Sequence, residues 1–153
     1  DHSAVSVFWR TAREARTARL YSSAASVVYK GQPMNIVWHG NYSKYFELGR
    51  VALLGKIGYG YGAMKASGYA WPVIDMHIRY YRTLELGQRA EVQASVVEWE
   101  NRLKIDYLIV DPATGRKVTR GHTVHVALDI ETKEMQWETP PILREKLAPW
   151  LGS

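Results

Sequence analysis

The sequence predicts an α+β fold, in which an antiparallel sheet of about five strands packs on one long helix. Three observations support this prediction. Apolar residues recur at steps of three and four after residue 40, which gives one apolar stripe along a helix. Four later segments alternate apolar and polar residues, as half-buried strands do. The helix stripe needs an apolar sheet face to cover it, and the alternating strands supply that face.

We expect residues 1–22 to be a basic extension and residues 23–153 to form the domain. Arginines occupy every third position from Arg10 to Arg19, which predicts a helix with a basic ridge. A solvated helix packed loosely on the domain is the simpler interpretation. The alternative is a basic interaction module that contacts anionic lipid or a carrier protein.

The long helix follows the first strand, which is predicted over residues 23–30. The helix is expected to begin at residue 39 or 40 and to end at residue 56 or 57, where repeated glycines break it. Its apolar stripe consists of Tyr42, Tyr45, Phe46, Gly49, Leu53 and Ile57. A short second helix is predicted over residues 63–67.

The remaining strands are predicted over residues 74–81, 90–96, 103–109 and 118–128. Turn residues separate these segments, and short connections between the last three favour a meander. Residues 142–151 are predicted to form a short terminal helix.

Composition narrows the class of protein. Hydrophobic residues make up 46% and charged residues 23% of 153 positions, which is typical of one soluble globular domain. No apolar run approaches the roughly 18 residues that span a bilayer, and no signal-type stretch is found, so we expect a cytoplasmic protein without stable membrane insertion. The absence of cysteine excludes disulfides and a thiol nucleophile.

The net charge of +5 comes largely from arginines before residue 23, so it does not favour nucleic acid as a partner. Mild basicity suits a polyanion such as coenzyme A, or an acidic carrier protein.

The segment Trp38-His39-Gly40-Asn41-Tyr42 stands where the long helix is expected to begin. A helix N-terminus carries free backbone N–H groups and a partial positive charge, which suit a carbonyl oxygen that gains negative charge. Alternatively, His39 and Asn41 only cap the helix.

This segment, with Tyr45-Phe46-Glu47 after it, resembles the 4-hydroxybenzoyl-CoA thioesterase-like branch of the hotdog-fold superfamily. Residues 82–88 and 121–126 are similar to a turn and a strand of that family, and the resemblance covers roughly residues 23–135. It implies a hotdog fold, a homodimer or homotetramer, and hydrolysis of acyl-CoA or acyl-carrier-protein thioesters without a cofactor.

The resemblance also implies roles for residues around the helix start. Backbone groups at His39, Gly40 and Asn41 would form the oxyanion hole. The family's loop acid falls on Gln32, which cannot take a proton at neutral pH. Either His39 or Glu47 supplies the base, or the protein binds thioesters without hydrolysing them, or Gln32 is an introduced substitution. For Glu47, a surface or interface carboxylate paired with Lys44 or Arg50 is an equally good interpretation.

Candidate substrate contacts are aromatic residues for an acyl or aryl group and arginines for the phosphates of coenzyme A. They are Trp38, Tyr42, Tyr59, Tyr61, Arg79, Arg82 and Arg120. For the aromatic residues near the glycines, covering the end of the helix is an equally good interpretation. His122 and His125 have opposite parity on one strand and so point to opposite faces, and we predict no metal site.

Overall fold

The computed structural model describes residues 6–11, 18–25, 42–83 and 89–150. Within these ranges the fold is α+β, as predicted, with an antiparallel sheet packed on one long helix. In chain order the elements are β1 (Ser6–Thr11), β2 (Ala18–Ala25), α1 (Tyr42–Lys56), α2 (Tyr61–Ser67), β3 (Tyr69–Ala70), β4 (Val73–Tyr80), β5 (Arg89–Glu98), β6 (Leu103–Val110), β7 (Lys117–His125), β8 (Ala127–Asp129), β9 (Met135–Gln136) and α3 (Pro141–Leu147), followed by a 3₁₀ turn at Ala148–Trp150.

The main sheet has the order β1-β2-β5-β6-β7-β4, and each neighbouring pair in it is antiparallel. The predicted meander is confirmed for β5, β6 and β7. Strand β4 pairs with β7, so it lies at an edge of the described sheet. The strand predicted over residues 118–128 is divided after His125, and β8 joins β3 and β9 in a separate small sheet.

The helix predicted from Arg10 to Arg19 is wrong at both of its ends. Arg10 belongs to β1 and Arg19 to β2, and the two are direct cross-strand partners. Strand β2 also pairs with β5 and crosses the domain boundary expected at residue 22. This pairing satisfies the backbone groups of residues 18–25, and such long-range pairing can override a local helix preference. The strand predicted over residues 23–30 therefore corresponds to β2, which begins five residues earlier, at Ala18, and residues 26–30 lie outside the described ranges.

The apolar stripe of α1 is confirmed as the centre of the core. Phe46 stacks on Tyr107 of β6 with a ring-centroid distance of 4.5 Å. Gly49 lets the helix approach β5 closely, because a Cβ at this position would lie 2.8 Å from the Val92 Cγ1 atom. The stripe therefore holds the helix directly against the sheet.

Glycines end both early helices. Gly58, two residues after α1, has a φ of 80°, and Gly68 caps α2 with a φ of 87°, a left-handed conformation that favours glycine. Helix α2 begins at Tyr61, two residues before its predicted start. No helix in the described part of the chain is both long and apolar enough to cross a membrane.

Candidate active site

A cavity of about 660 Å³ lies beside α1, within the size range of small-molecule sites. Most of its wall is carbon, contributed by Leu54, Tyr59, Met64, Trp71, Leu103 and Leu128. Its charged lining residues are Glu47, Arg50 and Lys65. Because Glu47 and Lys65 are exposed, the charged groups lie where the cavity opens to solvent. The site thus combines an apolar interior with a charged mouth.

Glu47 is the one predicted catalytic side chain that the described residues include. It lies on α1 with 64% of its side chain exposed, and its Oε1 is 3.8 Å from the Arg50 Nη2 atom. An exposed pair of this length stabilises the protein little. Its carboxylate is therefore available to a molecule at the cavity mouth.

A buried histidine forms part of the cavity wall. The His125 Nδ1 atom donates to the Trp71 carbonyl at 3.0 Å, and Nε2 accepts from the Thr123 hydroxyl at 2.9 Å. The Tyr107 hydroxyl donates in turn to Thr123 Oγ1 at 2.8 Å. These partners assign the proton to Nδ1, because the carbonyl can only accept.

Burial is the main cause of two pKa shifts in this network. Burial lowers the pKa of His125 from 6.5 to about 4; the hydrogen bond to the Trp71 carbonyl opposes this change, and the nearby charge of Arg50 adds to it. Burial also raises the pKa of Tyr107 to about 12, although its hydrogen bond to Thr123 acts in the opposite direction. Both side chains are therefore neutral at pH 7.

A second set of hydrogen bonds leaves Trp71 in the other direction. The Trp71 indole N–H donates to the Tyr59 hydroxyl at 2.9 Å. Tyr59 donates to Ser67 Oγ at 2.9 Å, and Ser67 donates to the Met64 carbonyl at 2.6 Å. Trp71 thereby ties the segment between α1 and α2 to the end of β7.

The predicted aromatic contacts are only partly brought together. Tyr59 and Tyr61 line the cavity, the first fully buried and the second 84% exposed. Tyr42 is buried in the core with its ring edge-on to Tyr80, at a centroid distance of 5.2 Å, and it does not line the cavity.

The predicted arginines lie away from the cavity. Arg79 on β4 and Arg120 on β7 are direct cross-strand neighbours and are exposed. Arg82 lines a separate depression of about 360 Å³, together with Asp111 and Arg116. The cavity touches Pro72, just before β4, and the end of β7, whereas Arg79 and Arg120 lie toward the opposite ends of these two strands.

Gln32, Trp38, His39, Gly40 and Asn41 lie outside the described residues, so their positions relative to the cavity remain predictions.

The strand histidines follow their predicted parity. His122 is half-buried and stacks on His77 at 5.6 Å, whereas His125 is buried on the other side of the sheet. In the part of the chain that the structure describes, no three histidine or acidic side chains are grouped so as to hold a metal ion.

Sequence reasoning missed Arg50, Leu103, Leu128 and the role of His125 in the cavity wall. The parity of His125 placed it opposite His122 and could have assigned it to the inner face, where a histidine needs hydrogen-bond partners. The contributions of β6 and β8 carried no local signal, because they depend on where those strands end in space.

Comparison with known proteins identifies relatives of the chain. The model of the thioesterase-like superfamily matches residues 30–151. A Synechocystis protein named “Putative esterase” is 32% identical over 119 residues, which are 73% of this chain and 68% of that protein. “Putative acyl-CoA thioesterase YneP” of Bacillus subtilis is 32% identical over 65% of this chain and 72% of its own length. The DHNA-CoA thioesterase structure from Staphylococcus aureus superposes with a TM-score of 0.74 at 22% identity, covering 84% of this chain and 88% of that one.

Proposed function

Because the chain belongs to the thioesterase-like superfamily, we propose that it hydrolyses acyl thioesters of coenzyme A or of an acyl carrier protein. The observation that carries the proposal is the family match over residues 30–151, which includes both the motif before α1 and the cavity beside it. A carbon-lined cavity with a charged mouth suits a hydrocarbon group attached to a polar carrier.

We place the stabilisation of the oxyanion at the start of α1. The first N–H groups of a helix have no partner within the helix, and the helix dipole adds partial positive charge there. Backbone donors at His39, Gly40 and Asn41 would stabilise the oxyanion that forms when water attacks the thioester carbon. The C–S bond then breaks, and the thiolate leaves and takes up a proton.

Water activation is assigned to Glu47. A carboxylate can accept the proton of the attacking water, whereas the Gln32 amide can only hydrogen-bond it. Glu47 lies on α1, five residues after its first residue Tyr42, and it lines the mouth of the cavity. In this scheme Glu47 takes the proton from water and returns it to the departing thiolate.

We further propose a homodimer or homotetramer assembled through β4. This edge strand and its flank expose apolar side chains, namely Val73, Ile74, Met76, Tyr80 and Tyr81. An exposed apolar edge strand is a template for pairing with another chain. Two-fold pairing of β4 is antiparallel, so the arginine-bearing end of one strand lies beside the cavity-bearing end of the other. Arg79 and Arg82 would then reach the phosphates of a carrier bound to the second subunit.

Hydrolysis of a panel of short, long and aromatic acyl-CoAs, followed by the released thiol, tests the activity. Glu47→Gln is expected to lower kcat by roughly 10²-fold, a usual contribution of a general base. Glu145→Gln on α3 is the matched control, because that exposed glutamate does not line the cavity. Equal rates for the two variants would remove Glu47 from the mechanism.

Gln32→Asp tests the loop position. We expect the rate to rise by about 10²-fold, because an acid is restored while the backbone donors remain unchanged. His39→Ala should lower the rate in either background. If neither the native protein nor Gln32→Asp hydrolyses any thioester, the protein is a thioester-binding member of the superfamily.

A strict monomer in light scattering would contradict the β4 dimer.

A further inference from the structure

Three buried aromatic side chains of the cavity wall have their polar atoms engaged within the protein. Tyr59, Trp71 and His125 line the cavity, yet their exposed fractions are only 0%, 9% and 1%. The Tyr59 hydroxyl, the Trp71 indole N–H and both ring nitrogens of His125 are engaged in the hydrogen bonds described above. These three residues therefore offer ring carbon, and no unpaired polar hydrogen, to a bound molecule.

We propose that this cavity is the acyl subsite and that it selects long hydrocarbon chains over acyl groups that carry a hydroxyl inside the cavity. The inference rests on the proposed thioester hydrolysis and adds the class of acyl group. The wall also contains Leu54, Leu103 and Leu128. Burial of alkyl carbon against these side chains is favoured by the hydrophobic effect. The charged groups at the mouth remain available to the polar carrier.

The dimensions of the cavity favour a chain over a short acyl group. Its α1 side extends from Glu47 to Leu54, seven residues, or about 10 Å at the rise of an α-helix. It continues past the helix end to Tyr69 on β3. An extended alkyl chain advances about 1.25 Å per C–C bond because the bonds zigzag, so roughly nine carbons or more fill this length.

A substrate hydroxyl buried beside these three residues loses its hydrogen bonds to water and gains none from their already paired groups. An apolar pocket rejects an added hydroxyl by up to roughly 10²-fold. We therefore expect kcat/KM for dodecanoyl-CoA to exceed that for ω-hydroxydodecanoyl-CoA by about 10- to 100-fold. The hydroxyl is placed at the chain end because that position lies farthest along the chain from the thioester, and so from the proposed base Glu47.

The cavity wall also contains four aromatic rings, which would suit an aryl group instead. A higher kcat/KM for 4-hydroxybenzoyl-CoA than for dodecanoyl-CoA would overturn the proposal. A hydroxylated chain hydrolysed as efficiently as the unsubstituted one would also overturn it.

A matched pair of substitutions locates the chain. Ala70 on β3 lines the cavity, whereas Ala66 on α2 is exposed and does not line it. In Ala70→Trp the added ring occupies the lumen, so the ratio of kcat/KM for dodecanoyl-CoA to that for butyryl-CoA should fall by roughly 10-fold or more. Ala66→Trp should leave this ratio at its native value, and an equal ratio in both variants would refute the assignment.

A second variant covers the case in which Ala70→Trp does not fold. Leu128→Ala removes bulk from the same wall, and it should shift the preference toward longer chains. An unchanged chain-length profile in a folded Leu128→Ala protein would overturn the proposal.

Binding can be measured apart from hydrolysis with dodecyl-CoA, a thioether that contains no hydrolysable bond. If native protein binds it in calorimetry and Ala70→Trp or Leu128→Ala alters the affinity, the acyl subsite stands even if no thioester is hydrolysed. If the protein hydrolyses thioesters with no chain preference and does not bind the thioether, the subsite is wrong and the activity stands.

Discussion

Acidification should destabilise this protein through His125. Burial lowers the pKa of His125 from 6.5 to about 4, so the folded state holds its proton less tightly than the unfolded chain does. The stabilisation by the neutral ring is complete above pH 6.5. It is lost as the pH falls through the window between 6.5 and 4, because the unfolded state then binds more protons.

The size of the effect follows from the pKa difference. One pKa unit corresponds to about 1.4 kcal/mol, so the full difference between 6.5 and about 4 is worth about 3 kcal/mol. Between pH 7 and pH 5 the free energy of unfolding should fall by about 2 kcal/mol through this group. That loss is a large part of the stability of an ordinary small domain.

Urea denaturation at pH 7 and pH 5 measures this loss in the native protein, His125→Gln and His122→Gln. His125→Gln costs about 1–3 kcal/mol at both pH values, because buried partners lose their hydrogen bonds, but it removes the titration. His122→Gln is the control, since His122 lies on the opposite face of β7. The native protein and the control should each lose about 2 kcal/mol more than His125→Gln. Equal losses in all three proteins would refute the reasoning.

Two further predictions concern packing. Gly121→Ala should destabilise the protein by about 1–3 kcal/mol or more in thermal denaturation, because a Cβ there would collide with the His77 carbonyl and the Phe46 ring. Gly62→Ala on α2 is the control with open space around it, and it should raise stability by about 0.5–1 kcal/mol. Removing residues 1–11 deletes β1 and should leave a folded domain, whereas removing residues 1–25 also uncovers β5 and should cause unfolding or aggregation, judged by circular dichroism and size exclusion. Identical behaviour of the two truncations would contradict the role of β2.

Local periodicity was sufficient for the elements whose pattern is set by chain geometry. The three- and four-residue steps from Tyr42 to Ile57 predicted the buried face of α1, because 3.6 residues per turn bring those side chains together. Alternation predicted β5, β6 and β7 for the same kind of reason, since successive strand residues point to opposite faces. The motif around His39 likewise predicted the family, which the match over residues 30–151 bears out.

Structural features that depend on residues far apart in sequence could not be predicted from the local residue pattern. Arg10 and Arg19 have helical spacing, yet they lie opposite each other in β1 and β2, because hydrogen bonds to β5 outweigh a weak local preference. The neutral state of His125 depends on its burial, and the proton position on its ring depends on the Trp71 carbonyl, 54 residues away in sequence. The cavity has the same origin, since Glu47, Leu103 and Leu128 become neighbours only when α1, β6 and β8 pack together. Burial, and with it the acidity of a side chain and the shape of a site, is a property of this packing.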